Sequence, residues 1–264
     1  VGLIVLSLVR FYQNFDRIPK IIVFKEAKLF LYQPSNGYRY NSDSIFLYDF
    51  IRSFDPKGEI LDVGCGVGIV GLLAARDFSV KMTAIDKQKQ MTEYAARNYD
   101  ANDLNVEVHT ADFADFDVGE KYDYIVSNPP FYDSAVTQSN NEQINIARYT
   151  HHLPINTFVK SAKRLLKQKA YLIFCYDAKQ IDKVLFELKV AKLNPEVIRF
   201  VHPKIDREAK IALIAARANS KSMVRVLPPM IVFDDESNYM PDAQAAFDIA
   251  ATNVVTANSS PKEL

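Results

Sequence analysis

Long apolar runs, paired cysteines, metal-ligand spacings and internal repeats are all missing from this sequence of 264 residues. Its two cysteines, Cys65 and Cys175, lie far apart, so no small disulfide-stapled secreted framework can be built from them and a reduced, cytoplasmic setting is expected. The apolar opening Val1 to Val9 lacks a basic leader and a small-residue cleavage pattern, and it is too short to span a bilayer. It reads as a buried terminal strand or helix or as an artefact of start-site choice, with a signal-anchor as the lesser alternative, and no membrane association is expected. The histidines, His109, His151, His152 and His202, have no ligand spacing, and both cysteines fall in apolar or turn segments, so no metal is expected. No low-complexity tract or Pro/Gly/Ser-rich linker divides the chain. One main domain over residues 25–240 follows, with an extension at 1–24, a helix and tail at 241–264, and a monomer as the expected state.

Net charge is also absent, at zero overall, which at first speaks against a nucleic-acid partner. The distribution is uneven, however. From 151 to 225 there are sixteen lysines and arginines against six acids, a balance of +10 that leaves −10 for the remainder. The basic stretch at 160–225 is what a phosphate-docking face would produce, since Lys and Arg gain affinity by releasing condensed counterions. Solvated helix faces would give the same count.

Apolar residues make up 48% and charged residues 24%, ordinary for a soluble globular chain. Short apolar runs at Glu59 to Val63, Lys81 to Ile85, Val106 to Thr110, Tyr124 to Ser127 and Tyr171 to Tyr176 read as buried parallel strands. Between them, Val70 to Arg76, Gln88 to Tyr99 and Ile155 to Leu166 have helical spacing, the last with Leu153, Phe158, Ala162 and Leu165 on one face. This alternation predicts an α/β fold, a mostly parallel sheet with helices on both faces. Glu196 to His202 and Ile211 to Ala216 are too close for a helical crossover and predict an antiparallel hairpin at the sheet edge.

Leu61-Asp62-Val63-Gly64-Cys65-Gly66-Val67-Gly68 follows a strand and opens a helix, the setting in which a glycine-rich turn binds a nucleotide-like ligand. The turn alone fits a dinucleotide as well as any other. Asp62, just before Gly64, would repel a pyrophosphate but suits a cationic amino-acid moiety, which points to S-adenosylmethionine. Asp86, eighteen residues past Gly68, stands where an acid accepts ribose hydroxyls. A helix N-cap is its structural alternative. Asp112-Phe113 closes the third strand, where the carboxylate could accept from an adenine amino group and the ring could pack its face; ordinary turn chemistry is the alternative.

Ser127-Asn128-Pro129-Pro130-Phe131-Tyr132 is the most specific signal. An exocyclic amine conjugated to a ring is a poor nucleophile because its lone pair is delocalised. The Asn128 side-chain oxygen and a neighbouring backbone carbonyl can each accept one N–H and localise that pair. Pro129 and Pro130 supply carbonyls without competing N–H groups and fix φ, and Phe131 can stack on the base. No general base is required, because the amine can release its proton to solvent after transfer.

These residues resemble class I S-adenosylmethionine-dependent methyltransferases with an Asn-Pro-Pro-Phe/Tyr motif. With Val108 to Asp112, Ala147-Arg148-Tyr149-Thr150, Asn238-Tyr239 and the segment Gly37 to Ser44, the chain resembles the bacterial tRNA1(Val) (adenine-37-N6)-methyltransferase family over roughly 25–245. The resemblance implies a Rossmann-like sheet with a reversed last strand, S-adenosylmethionine as methyl donor, and transfer to the N6 amine of adenine in tRNA. It departs from the family at Phe131, where many members carry Tyr, and at Val1 to Lys20, which has no counterpart. Guanine-N2 methylation of rRNA, N5 methylation of a protein glutamine, and an idle RNA-binding assembly factor are the alternatives.

Overall fold

Residues 29–34, 40–119, 121–131 and 153–257 are described by the computed structural model. Val1 to Val9, the extension at 1–24, Tyr132, Ala147 to Thr150, His151 and His152 lie outside the described residues. A first strand, β1 (Leu29–Pro34), precedes helix α1 (Ser42–Arg52), and the expected alternation then follows. It runs β2 (Gly58–Val63), α2 (Ile69–Asp77), β3 (Val80–Asp86), α3 (Lys89–Ala101), β4 (Val106–Thr110), β5 (Tyr122–Ser127), α4 (Ile155–Leu165) and β6 (Leu166–Asp177). Next come α5 (Ile181–Val190), β7 (Leu193–His202), β8 (Ile211–Ala218), the two-residue strands β9 (Arg225–Val226) and β10 (Met230–Ile231), α6 (Pro241–Ala250) and β11 (Thr252–Ala257).

The main sheet has the order β10-β7-β8-β6-β5-β2-β3-β4, with β9 also pairing β7. Every ladder is parallel except those of β8, which is antiparallel to both β6 and β7. The hairpin read from sequence is therefore present, but β8 is not at the edge. It fills the slot between β6 and β7, which accounts for its nearly unbroken apolar run. Leu213 and Ala215 join the core on one face, while Ala212, Ile214 and Ala216 join the core on the other. Helices α1, α2, α3 and α6 cover the first face, and α4 and α5 cover the second. Strands covered on both sides have no polar face to alternate with, hence their continuous hydrophobicity.

Two further departures have local causes. The strand expected from Tyr171 begins at Leu166, directly after α4. Lys169 takes φ of 59°, and the ladder with β5 slips register between Tyr122 and Tyr124. Such an irregularity breaks the period on which strand recognition depends. The tail expected after the C-terminal helix is in part a strand, because β11 pairs in parallel with β1 from Leu29↔Thr252 to Pro34↔Ala257.

On its other side β1 is held by α3. Asn98 Oδ1 accepts from Tyr32 N at 2.6 Å and its Nδ2 donates to Tyr32 O at 2.9 Å. One turn later Asn102 treats Phe30 the same way, accepting from N at 2.9 Å and donating to O at 2.7 Å. Two primary amides at helical spacing thus imitate the edge of a neighbouring strand and satisfy backbone groups that would otherwise need one.

Candidate active site

At the carboxyl ends of β2, β3, β4 and β5 the chain turns through four successive loops. The first is the glycine-rich turn. Gly64 and Gly68 have φ of 64° and 88°, a region that side-chain-bearing residues rarely adopt. Their second reasons differ. A Cβ at Gly64 would meet nothing within 4 Å, leaving room for a ligand, whereas one at Gly68 would press on Tyr99 Oη at 3.1 Å and Ala95 at 3.2 Å. The turn is pinned by Cys65 N donating to Ile85 O at 3.0 Å, Gly68 N to Cys65 O at 2.8 Å, and Asn98 Nδ2 to Val67 O at 2.8 Å.

The acids surround this turn. Asp86 Oδ2 accepts from Gly66 N at 2.9 Å and Oδ1 from Gln88 N at 2.8 Å, so the carboxylate ties the glycine turn to the start of α3. Burial raises its pKa, and these backbone donors oppose the rise. Asp62 is 2% exposed and accepts from Gly71 N at 2.9 Å in the first turns of α2. Burial pushes its pKa up to about 7, with Gly71 pulling it down and the Asp86 charge raising it. Among the described residues no cation pairs with it. Asp112 does what its turn alternative requires, Oδ1 accepting from Ala114 N at 3.0 Å, while Oδ2 takes Lys87 Nζ at 2.8 Å. Burial would raise its pKa, but Lys87 and Ala114 hold it below the usual value.

Asn128 is the hub. One cleft, of about 660 Å³ including the open space at its mouth, is lined by Gly64, Gly66, Asp86, Asp112, Phe113 and Asn128 among others. A second, of about 330 Å³, is lined by Tyr40, Ser44, Asp62, Gly64, Gly66 and Asn128 among others. The two share Gly64, Gly66 and Asn128, so the Asn128 amide stands at their junction. Its Nδ2 donates to Ser44 Oγ at 3.1 Å, and its Oδ1 lies 3.0 Å from the Cys175 thiol. Neither partner was singled out by sequence reasoning: Ser44 entered only within a resembling segment, and Cys175 sits in a run that reads as core.

Of the remaining motif residues, Pro130 lines the larger cleft, Pro129 is buried, and Phe131 lines neither. Phe131 is 8% exposed, its ring 5.9 Å from that of Tyr176, and its carbonyl accepts from Gln180 Nε2 at 2.8 Å. The stacking face expected there is turned into the core, where a ring without a hydroxyl packs at no polar cost.

The basic stretch divides. Lys167 pairs with Glu59 and Asp123 at 3.0 and 2.8 Å, Arg164 with Asp117 at 3.2 Å, and Lys163 donates to Asn219 at 3.3 Å. Those partners include the first residues of β2 and β5, so this trio lies at the amino ends of the strands, opposite the clefts. Arg199 likewise pairs with Asp242 at 2.8 Å and Asp49 at 3.8 Å. Part of the +10 is thus matched by the acids found elsewhere in the chain. Lys179, Arg207 and Lys210 follow β6 or precede β8 at the carboxyl edge and are exposed, with Lys179 pairing with Glu208 at 3.6 Å and Arg207 with Asp206 at 3.7 Å.

The family described as methyltransferase small domain matches residues 41–193. The chain belongs to this family. That bears out the resemblance drawn from the motifs. A tRNA1(Val) (adenine(37)-N6)-methyltransferase of Flavobacterium johnsoniae is 27% identical over 83% of this chain and 95% of its own. One of the same name from Phocaeicola vulgatus is 30% identical over 59% of this chain and 67% of its own. Among solved structures, a predicted O-methyltransferase from Agrobacterium tumefaciens superposes with a TM-score of 0.62 at 16% identity, over 81% of this chain and 100% of that one. At that identity the likeness carries the fold, the α/β architecture expected from sequence. No helix among the described residues is long and apolar enough to cross a membrane.

Proposed function

We propose that this methyltransferase moves the methyl group of S-adenosylmethionine to the N6 amine of an adenine in tRNA, with adenosine 37 of valine tRNA as the site. The observation that carries the reading is the position of Asn128 where the two clefts meet. The larger cleft suits the adenosine half of the donor: Asp86 keeps lone pairs for the ribose hydroxyls, Asp112 for the adenine amino group, and Phe113 offers an apolar face. The smaller cleft suits the amino-acid half, because a buried carboxylate with no cation partner among the described residues, Asp62, gains from an ammonium. Gly64 leaves the space between them open.

When bound, S-adenosylmethionine supplies an electrophilic methyl on a sulfonium. Asn128 then accepts one N–H of the adenine amine through Oδ1, and the Pro129 carbonyl accepts the other. This orients the nitrogen lone pair toward the junction. As the N–C bond forms, the methyl leaves sulfur with the bonding pair remaining there, and the extra amine proton passes to water. Phe131 stacks on the extruded base only by turning away from Tyr176 on RNA binding. Lys179, Arg207 and Lys210 contact phosphates beside the cleft, the part of the basic stretch that faces the site.

The reading is tested by incubating the protein with tritiated donor and unmodified total tRNA, then identifying the labelled nucleoside by mass spectrometry. N6-methyladenosine is expected, and its loss when adenosine 37 of a valine tRNA transcript is replaced by guanosine would fix the position; N2-methylguanosine would move the assignment to the guanine alternative. Asn128→Ala should keep donor affinity within about twofold yet slow single-turnover transfer at least ~100-fold, the scale for one preorganised partner.

A further inference from the structure

We infer that Ser44 and Cys175 are positioning residues that decide which end of the Asn128 amide meets the substrate amine. The inference rests on the reading of Asn128 as the amine's acceptor. An asparagine amide turned by 180° occupies nearly the same volume but exchanges an acceptor for a donor. In the turned form Nδ2 would direct its hydrogens at an amine that itself offers hydrogens, and methyl transfer would go without its orienting acceptor. Something must therefore hold the oxygen end toward the junction.

Two side chains from distant parts of the fold are in place to do so. Ser44, in the first turn of α1 and 4% exposed, takes Nδ2 at 3.1 Å. Cys175, in β6 and 0% exposed, stands 3.0 Å from Oδ1. Their contributions are unequal. A serine hydroxyl both donates and accepts, so it would bind either end of the amide. A thiol donates to a carbonyl oxygen but accepts poorly from an N–H, so the hydrogen bond at Oδ1 is the one that a turned amide cannot keep. Burial raises the Cys175 thiol well above its ordinary pKa, with the Asp43 charge adding to the effect, which keeps the proton on sulfur. The Oδ1 atom has a second lone pair, and that one is left for the substrate.

The test uses the intact protein in two measurements. In ¹⁵N-labelled protein, the Asn128 side-chain amide resonances, identified by their loss in Asn128→Ala, should show slow hydrogen exchange that quickens in both Cys175→Ala and Ser44→Ala. In single-turnover methylation at saturating donor and tRNA, Cys175→Ala should be slower by roughly five- to tenfold, the worth of one hydrogen bond. Donor affinity should stay within about twofold, and Cys175→Ser, whose hydroxyl can donate to Oδ1, should recover most of the rate. A Cys175→Ser variant as slow as Cys175→Ala would assign the residue to packing alone and overturn the inference. So would unchanged Asn128 amide exchange in both variants. Wild-type protein that methylates no tRNA would sink the functional reading instead, and the amide resonances would still decide whether Ser44 and Cys175 hold Asn128.

Discussion

Donor binding should expel a proton from Asp62. With its pKa near 7, about half of the ligand-free molecules carry the neutral acid at pH 7. An ammonium seated beside the carboxyl favours the ionised form, so binding should release about 0.9 proton per donor at pH 6 and about 0.4 at pH 7, and should take up about 0.4 at pH 8, where about half of the donor's amine must first be protonated. Donor affinity should rise about fivefold from pH 6 to pH 8, because binding at low pH must first overcome the cost of that ionisation. The donor's own amine, with an ordinary pKa near 8, limits any further gain. Titration calorimetry in phosphate and in Tris, whose ionisation heats differ, reads the proton count directly. Asp62→Asn keeps an oxygen for Gly71 N and should abolish the buffer dependence at pH 6. The same group has an opposite effect on the ligand-free fold. Its folded pKa lies above the unfolded value, so its contribution is fully present below about pH 4 and is lost as pH rises through about 7, with an upper limit of roughly 4 kcal/mol. Ligand-free Asp62→Asn should therefore be more stable than wild type at pH 8, with the gap closing toward pH 4. Heats of binding at pH 6 that are independent of buffer would refute the placement of an ammonium at Asp62.

Asn98→Leu should cost about 2–4 kcal/mol in chemical denaturation, because Tyr32 N, Tyr32 O and Val67 O are all left without their partner. A cost below ~1 kcal/mol would mean that these hydrogen bonds are readily replaced. Neutralising Lys163, Arg164 and Lys167 together should leave the salt dependence of tRNA binding unchanged, while neutralising Lys179, Arg207 and Lys210 should flatten the slope by roughly one unit for each phosphate no longer neutralised. The reverse pattern would place the docking face at the amino ends of the strands.

The glycine turn, the strand-end acids and the Asn-Pro-Pro motif were legible in the sequence because each is local, with its chemistry set by residues a few positions apart. The same holds for β2 to β5, whose apolar runs are bounded by turns. What escaped depends on separation. Ser44, Cys175 and Asn128 come from three distant elements, and nothing in any one segment indicates that they meet. Asn98 reads as an indifferent helical residue, since its value lies in a strand 66 positions away. The basic stretch was legible only as a count, which cannot distinguish Lys167, bound to Glu59 and Asp123, from Lys179, which pairs with Glu208 at the opposite edge. Phe131 illustrates the limit for a correctly recognised motif: its identity was legible and its orientation was not.

The pairing of β1 with β11 bears on how the protein is made. During synthesis β1 precedes its partner strand by most of the chain, since the first register pair joins Leu29 to Thr252. An unpaired strand waiting that long is a template for pairing with another molecule. The amides of Asn98 and Asn102 are translated far earlier than β11 and can occupy one side of β1 as soon as α3 forms, leaving a single open edge for the last strand. Closure of that edge is the longest-range pairing in the sheet system and should be among the slowest to form. Asn98 also donates to Val67 O in the glycine turn, so the amide that occupies β1 early in synthesis is the same one that steadies the turn.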